Sequence, residues 1–294
     1  MRTFPTPKFS DGLLGPDEMV SGLDHLPSSP EVLPKVMDAL KDDSASIDSI
    51  AALISFDQGV AAAVLQLSNS AYYNNGERSS RIEEAVSRVG LVKVCELVTN
   101  AVASELLAWD LPTYSIRRDS LWRQSFTCAL ASEKIAVLVG LEGRSAYTVG
   151  FFHMVGLIAI DAWNTKNAKN LSFRHGSFPR RSIDEEHRVL GFTNAAAAAV
   201  LLRRWSFHPA IVQPIRWQFA PKEAGIHVPL ACVLHVAKWM KEAAHAAPDA
   251  IPPLPEPPIL ACLGLCANDL EQLRVETKGD YENAVQLLNS LTVS

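Results

Sequence analysis

Apolar residues recur at the three-and-four spacing of a helix in segment after segment, and nowhere does the chain sustain the period-two alternation of a half-buried strand. Leu33, Val36, Met37 and Leu40 follow the helical rule, as do Ile47, Ile50, Ala51 and Ile54. The same spacing returns at Ile82, Ala85, Val86 and Val89, and at Leu91, Val94, Cys95 and Val98. Each set lays an apolar stripe along one side of a helix, and such a stripe must be covered by another helix. Start signals agree. Ser29 can cap a helix whose first residue is Pro30, where a missing N–H costs nothing, and Ser46 and Asp57 can cap the next two. The expected fold class is all-α, a helical bundle.

Breaks in composition divide the chain. Residues 1–24, rich in Gly, Pro and polar side chains, are expected to form a loose lead-in. A first helical subdomain is expected over 25–112, ending near Asp110-Leu111-Pro112, and a second over 113–247. PDAIPPLPEPP (248–258) is too proline-rich for a helix and reads as a stiff connector. A helical tail follows over 259–294. The five alanines Ala195–Ala199 combine high helix propensity with little bulk, so their helix can approach a neighbour closely.

The 294 residues are 48% hydrophobic and 20% charged, an ordinary globular profile. Net charge is −5, which gives no support to a chain that grips nucleic acid along its length. The arginine pairs at 117–118, 180–181 and 203–204 read as solvated surface. The N-terminus has no apolar run of signal-peptide type, and no run reaches the ~20 apolar residues that cross a bilayer. The five cysteines at 95, 128, 232, 262 and 266 are odd in number and scattered, as for reduced thiols of a cytoplasmic protein. Cys262 and Cys266 could share a helix face, and core cysteine is the preferred reading there. Gly-x-Ser-x-Gly, the P-loop and Gly-x-Gly-x-x-Gly are absent.

Six segments, in order, carry a resemblance. They are LPSSPEVLPKVMDAL (26–40), IDSIAALISFDQGVAAAVLQLSNSAYY (47–73), RIEEAVSRVGLVKVCELV (81–98), LWRQSFTCALASEKIA (121–136), GFFHMVGLIAI (150–160) and AAAAAVLLRRWSFHPAIVQPIRWQ (195–218). Together they resemble the HDOD family of bacterial signalling domains, with Val89-Gly90 at the family's Leu-Gly turn. The resemblance implies a bundle whose second half is like the HD superfamily of metal phosphohydrolases.

Active HD members hold divalent ions with histidines and a His-Asp doublet, because imidazole and carboxylate bind such ions and acidify a bound water. At the position matching the doublet this chain has His153-Met154, a thioether in place of the carboxylate. Gln124 stands where an upstream His would be, Asn194 where a His often precedes the Ala-rich helix, and Trp217-Gln218 where a His-His pair often follows. Lys238 takes the place of a late Asp and would put positive charge where a cation must sit. These seven side chains are the candidates for a vestigial pocket, with no catalytic residue, metal or cofactor expected. His153, in an apolar run, also reads as a buried, hydrogen-bonded histidine, and His187, three residues after Asp184, as a surface one.

The resemblance implies a non-catalytic regulatory protein whose partners are other signalling proteins. Asn69, Ser70, Tyr72 and Tyr73 are the candidate partner surface. A residual phosphohydrolase or phosphodiesterase acting on a nucleotide is one alternative. A small-molecule sensor using the vacated pocket is the other, with Arg203 and Arg204 as its phosphate contacts.

Overall fold

The computed structural model describes residues 15–23, 35–36, 39, 46–55, 58–70, 73, 78–106, 109–173 and 181–292. Among them no strand forms, and the one β-type pairing is an isolated bridge between Leu111 and Ile116. Ser29, Asp57, Tyr72 and most of the stripe from Leu33 to Leu40 lie outside the described residues.

Helices α2 (Ile47–Ser55), α3 (Gln58–Ser68), α4 (Ile82–Val89) and α5 (Leu91–Leu106) form the first group. Ser46 caps α2, its Oγ accepting from the Ser49 N–H at 3.1 Å. The expected stripes face inward: Ile50, Ala51 and Ile54 are buried, as are Ala85, Val86 and Val89, and Val94, Cys95 and Val98. The turn between α4 and α5 is made by Gly90 at φ 86°, a conformation in which a side chain would be strained.

The second group comprises α6 (Arg118–Leu138), α7 (Gly143–Phe152), α8 (Val155–Lys166), α9 (Arg181–Leu190), α10 (Asn194–Arg204), α11 (Pro209–Arg216) and α12 (Val228–Ala243). Asp110 opens α6 by accepting from the Arg118 N–H at 2.7 Å. Two backbone approaches set this group's geometry. A Cβ on Gly150 would stand 2.6 Å from the Cys128 carbonyl oxygen, which fixes α7 against α6. A Cβ on Gly156 would stand 1.8 Å from the Asn194 carbonyl oxygen, so α8 and the alanine-rich α10 touch backbone to backbone. Packing of α5 on α7 joins both groups into one hydrophobic cluster.

The lead-in departs from expectation. Pro16–Ser21 form a helix, α1, whose Met19 and Val20 are buried where it packs on α8 and α10. Proline at the first helical position starts this helix and does not prevent it. The connector lies against α12: Trp239 Nε1 donates to the Pro252 carbonyl at 3.0 Å. Its proline run ends in α13 (Pro257–Leu263), again with proline in the first turn. The tail helix α14 (Ala267–Thr292) packs on α6 and α12 through Leu270 and Leu273. One helical stretch among the described residues, Gly143–Lys166, is long and apolar enough to cross a membrane, and nearly all of its most apolar part is buried in the bundle.

Candidate functional site

Helix α12 is almost wholly buried, yet it carries His235, Lys238 and Lys241 at intervals of three. Lys238 and Lys241 are only 6% and 7% exposed, and lysines that deep are rare unless paired. Residues three apart on a helix are neighbours, so two full charges about 6 Å apart would repel by about 3 kcal/mol at an effective dielectric constant of about 20. Burial, and after it the charge of Lys241, holds the Lys238 ammonium well below its ordinary range. Burial lowers Lys241 as well.

Lys241 finds its acceptor at the junction of α7 and α8. His153 Nδ1 is 2.6 Å from the Gly150 carbonyl oxygen. A carbonyl only accepts, so Nδ1 carries the proton and Nε2 offers a lone pair. Lys241 Nζ takes that lone pair at 3.1 Å and lies 3.8 Å from Met154 Sδ. Gln218 Nε2 donates to the His153 carbonyl at 3.0 Å. At the rim, His235 Nδ1 is 3.3 Å from the Gln218 carbonyl oxygen and Nε2 is 3.1 Å from Glu256, whose side chain is half-exposed.

Lys238 differs. Its Nζ lies 3.5 Å from the centre of the Phe219 ring, and it makes no hydrogen bond among the described residues. The nearby carboxylate of Glu186, on α9, is fully buried and already occupied: it accepts from the Asn194 N–H at 2.6 Å and from Asn194 Nδ2 at 2.9 and 3.0 Å. It thus sits at the start of α10, where the helix dipole favours negative charge. Burial still raises the pKa of Glu186, the bonds from Asn194 pulling the other way. The buried Tyr114 hydroxyl has no well-formed hydrogen bond, and burial and then the Glu186 charge push its pKa up.

His153, Met154, Gln218 and Lys238 therefore meet in one buried region, and Asn194 binds the carboxylate beside it. The remaining expected residues do not join this network. Gln124 is half-buried on α6 and donates to Ser120 at 3.1 Å. Trp217 is half-buried with the Arg216 guanidinium over its ring. Arg203 and Arg204 are exposed and turn towards α1, Arg203 to Asp17 at 3.6 Å and Arg204 to the Ser21 hydroxyl. They hold the lead-in helix α1. In the expected partner surface, Asn69 holds the Ser79 backbone at both its N–H and carbonyl, 2.7 and 2.8 Å, and Ser70 is buried. Tyr73 is half-buried. His187 is exposed, as expected. Cys262 and Cys266 are exposed and separated by the left-handed Gly264, which removes the shared helix face and the core role. Cys262 lies instead beside buried Cys232, whose thiol burial and this neighbour push up to about 12.

Sequence reasoning missed Lys241 and Glu186. The signal for Lys241 was present, as a second lysine three residues after Lys238 in a helix with few polar positions. Glu186 had none, because only the fold brings it to Asn194.

A divalent ion of the HD type does not fit these residues. Among those described, no three His, Cys, Asp or Glu side chains converge on a point that could hold one. The His153 lone pair is taken by an ammonium, the doublet's second position is a thioether, and two lysines supply the local positive charge.

The HDOD domain profile matches residues 26–221, more than half of the chain. The chain belongs to the HDOD family. An uncharacterised protein of Treponema pallidum (strain Nichols) is 25% identical over 209 residues, covering 68% of this HDOD chain, which spans only 40% of that relative's length. A Marinobacter aquaeolei VT8 structure, provisionally assigned to signal transduction, superposes with a TM-score of 0.72 at 19% identity, over 93% of this chain and 64% of that one. An HDOD domain protein of unknown function from Geobacter sulfurreducens gives 0.63 at 22% identity, over 95% and 93%. A Shewanella amazonensis SB2B structure, provisionally assigned as a phosphohydrolase, gives 0.63 at 22% identity, over 93% and 97%. At these identities the structural likeness establishes the HDOD fold.

Proposed function

We propose that this HDOD protein is a regulatory module of bacterial signal transduction that works in the cytoplasm through contacts with other proteins, and not by hydrolysis. One observation carries the reading: Lys241 Nζ lies 3.1 Å from His153 Nε2, the ring nitrogen that accepts, and Lys238 is buried one turn before it on the same helix. An enzyme of the HD type needs that nitrogen and a carboxylate on a metal, because the metal acidifies the attacking water. Here ammonium groups occupy the centre, so neither the metal nor a hydroxide nucleophile has its ligands. Membership of a signalling family and the bacterial origin of the similar proteins support the regulatory half of the reading. The five free thiols suit a reducing compartment.

The test is turnover. The purified 294-residue chain, supplied in turn with manganese, ferrous iron and zinc, is assayed against nucleotide phosphomonoesters and cyclic dinucleotides. We expect rates equal to those of the His153→Ala variant. Phosphate release that depends on His153 would make the protein an enzyme. Partners are sought by affinity capture from the native host, with Val92→Asp as the control, since Val92 is the large apolar side chain most exposed on α5 among the described residues.

A further inference from the structure

Apolar surface and surplus charge meet in one place away from the buried centre, the groove between α6 and α14. It encloses about 440 Å3 and runs along α14 from Asp269 to Asp280, which is about 16 Å or three helical turns. Buried Leu273 and exposed Val137 and Leu138 line it. Four carboxylates, Glu133, Asp269, Glu276 and Asp280, face it against one lysine, Lys134. We propose that this groove docks a basic amphipathic helix of a partner protein, with its apolar stripe on Val137, Leu138 and Leu273 and its cations on the carboxylates. This rests on the reading that the protein works through contacts, and adds to it a surface and a partner chemistry.

The length and shape fit a helix laid alongside α6 and α14, the mode in which a groove holds an amphipathic helix by residues spaced three and four apart. Val137 and Leu138 adjoin each other on the last turn of α6, and exposed apolar side chains rimmed by charge mark a contact surface. The sign of the partner follows from the carboxylates. Lys134 already answers two of them, Glu276 at 3.4 Å and Asp280 at 2.9 Å, and Asp269 accepts from the Cys266 N–H at 2.7 Å. Glu133 is half-buried and makes no hydrogen bond or ion pair among the described residues, though the charges of Lys93 and Lys134 draw on it. Burial, and after it the charge of Glu96 on α5, pushes its carboxyl up to about 7, with Asp280 acting the same way. A cation brought by a partner would answer that charge, whereas an acidic helix would add to the repulsion.

The experiment selects binders of the 294-residue chain from a random display library of helical peptides about 18 residues long. Binders are sorted by whether the double variant Val137→Ser, Leu138→Ser still holds them; both side chains are exposed, so the variant should fold. Peptides lost in that variant should carry net positive charge and an apolar stripe of helical spacing. For the strongest of them, affinity should fall about tenfold or more in the double variant and about threefold in Asp280→Asn. It should hold in Ile226→Ser, an exposed apolar side chain outside the groove. Affinity should also weaken with salt. It should rise on the order of fivefold from pH 6 to pH 8, as expected where a bound cation lowers the Glu133 pKa by about one unit, and the rise should vanish in Glu133→Gln. Peptides held equally well by the double variant, or groove binders that are acidic or uncharged, overturn the proposal and leave the contact reading to another surface. Sedimentation of the chain alone is the last arm: a dimer abolished by the double variant would give the groove to a second copy and overturn it too. Metal-dependent turnover in the assay above would instead sink the contact reading, whatever the groove binds.

Discussion

Lysines in two regions of this molecule behave in opposite ways. In the groove between α6 and α14, Lys134 lies 2.9 Å from Asp280 and 3.4 Å from Glu276. Burial alone would lower its pKa, but these carboxylates outweigh it and the pKa rises. Lys93 behaves likewise beside Glu96, although for the Glu96 carboxyl burial outweighs the pair and the pKa rises. On α12, no carboxylate among the described residues makes an ion pair with Lys238 or Lys241; the charges of Glu242 and, for Lys238, Glu186 act on them, but burial prevails and both are lowered. The side chain is the same, and the difference is whether desolvation is answered by a counter-charge. The groove holds its lysine charged by pairing; in the interior of the second group Lys241 meets a neutral imidazole and Lys238 an aromatic ring, and burial prevails.

The largest effect should come from the backbone contact that walls the interior. Gly156→Ala would force a Cβ against the Asn194 carbonyl, at a cost of about 3 kcal/mol or more in denaturant unfolding, because backbone cannot step aside as a side chain can. A loss below about 1 kcal/mol would mean that α8 and α10 are not held in backbone contact. Next, Glu186→Ala strips Asn194 of the acceptor for its N–H and amide and should cost about 2–3 kcal/mol.

Lys238→Met sharpens the contrast directly. At neutral pH it should raise stability by about 1 kcal/mol or more, since exchanging a buried charge for apolar packing is often stabilising. Its pH dependence has a definite sign. Between the lowered folded pKa of Lys238 and the ordinary 10.5, the unfolded chain still holds a proton that the folded chain has released. Stability of the unsubstituted protein relative to Lys238→Met must therefore climb as pH rises through that window and be smallest below it. Lys241, Cys128, Glu186 and Glu242 also bear on this lysine. A difference that stays flat from pH 7 to 10 would show that burial does not govern this ammonium. The smallest effect belongs to the groove: Lys134→Met should cost no more than about 1 kcal/mol, and less in high salt.

Much of this was legible from sequence, for reasons that differ by residue. The stripes at Ile50, Ala85 and Val94 were readable because a 3.6-residue period survives any tertiary context. His153-Met154 and Lys238 were readable because a family pattern says which chemistry ought to stand there. Lys241 was passed over because a lysine is ordinarily solvent-facing, and only the packing of α12 on α6 and α11 shows this face to be interior. Arg203 and Arg204 were directed inwards by the expectation of a ligand, whereas α1 draws them out. That helix was itself hidden by its flanking glycines and prolines. Asn69 and Ser70 looked like a surface motif, but Asn69 is a side chain that ties a loop.

The central claim is that the second helical group is built around ammonium groups in place of a metal. Elemental analysis of the protein, purified without chelator and then dialysed against equimolar manganese, iron and zinc, tests it most directly. We predict well under a tenth of an ion per chain, unchanged in His153→Ala. One ion per chain, lost on substituting His153, would contradict it.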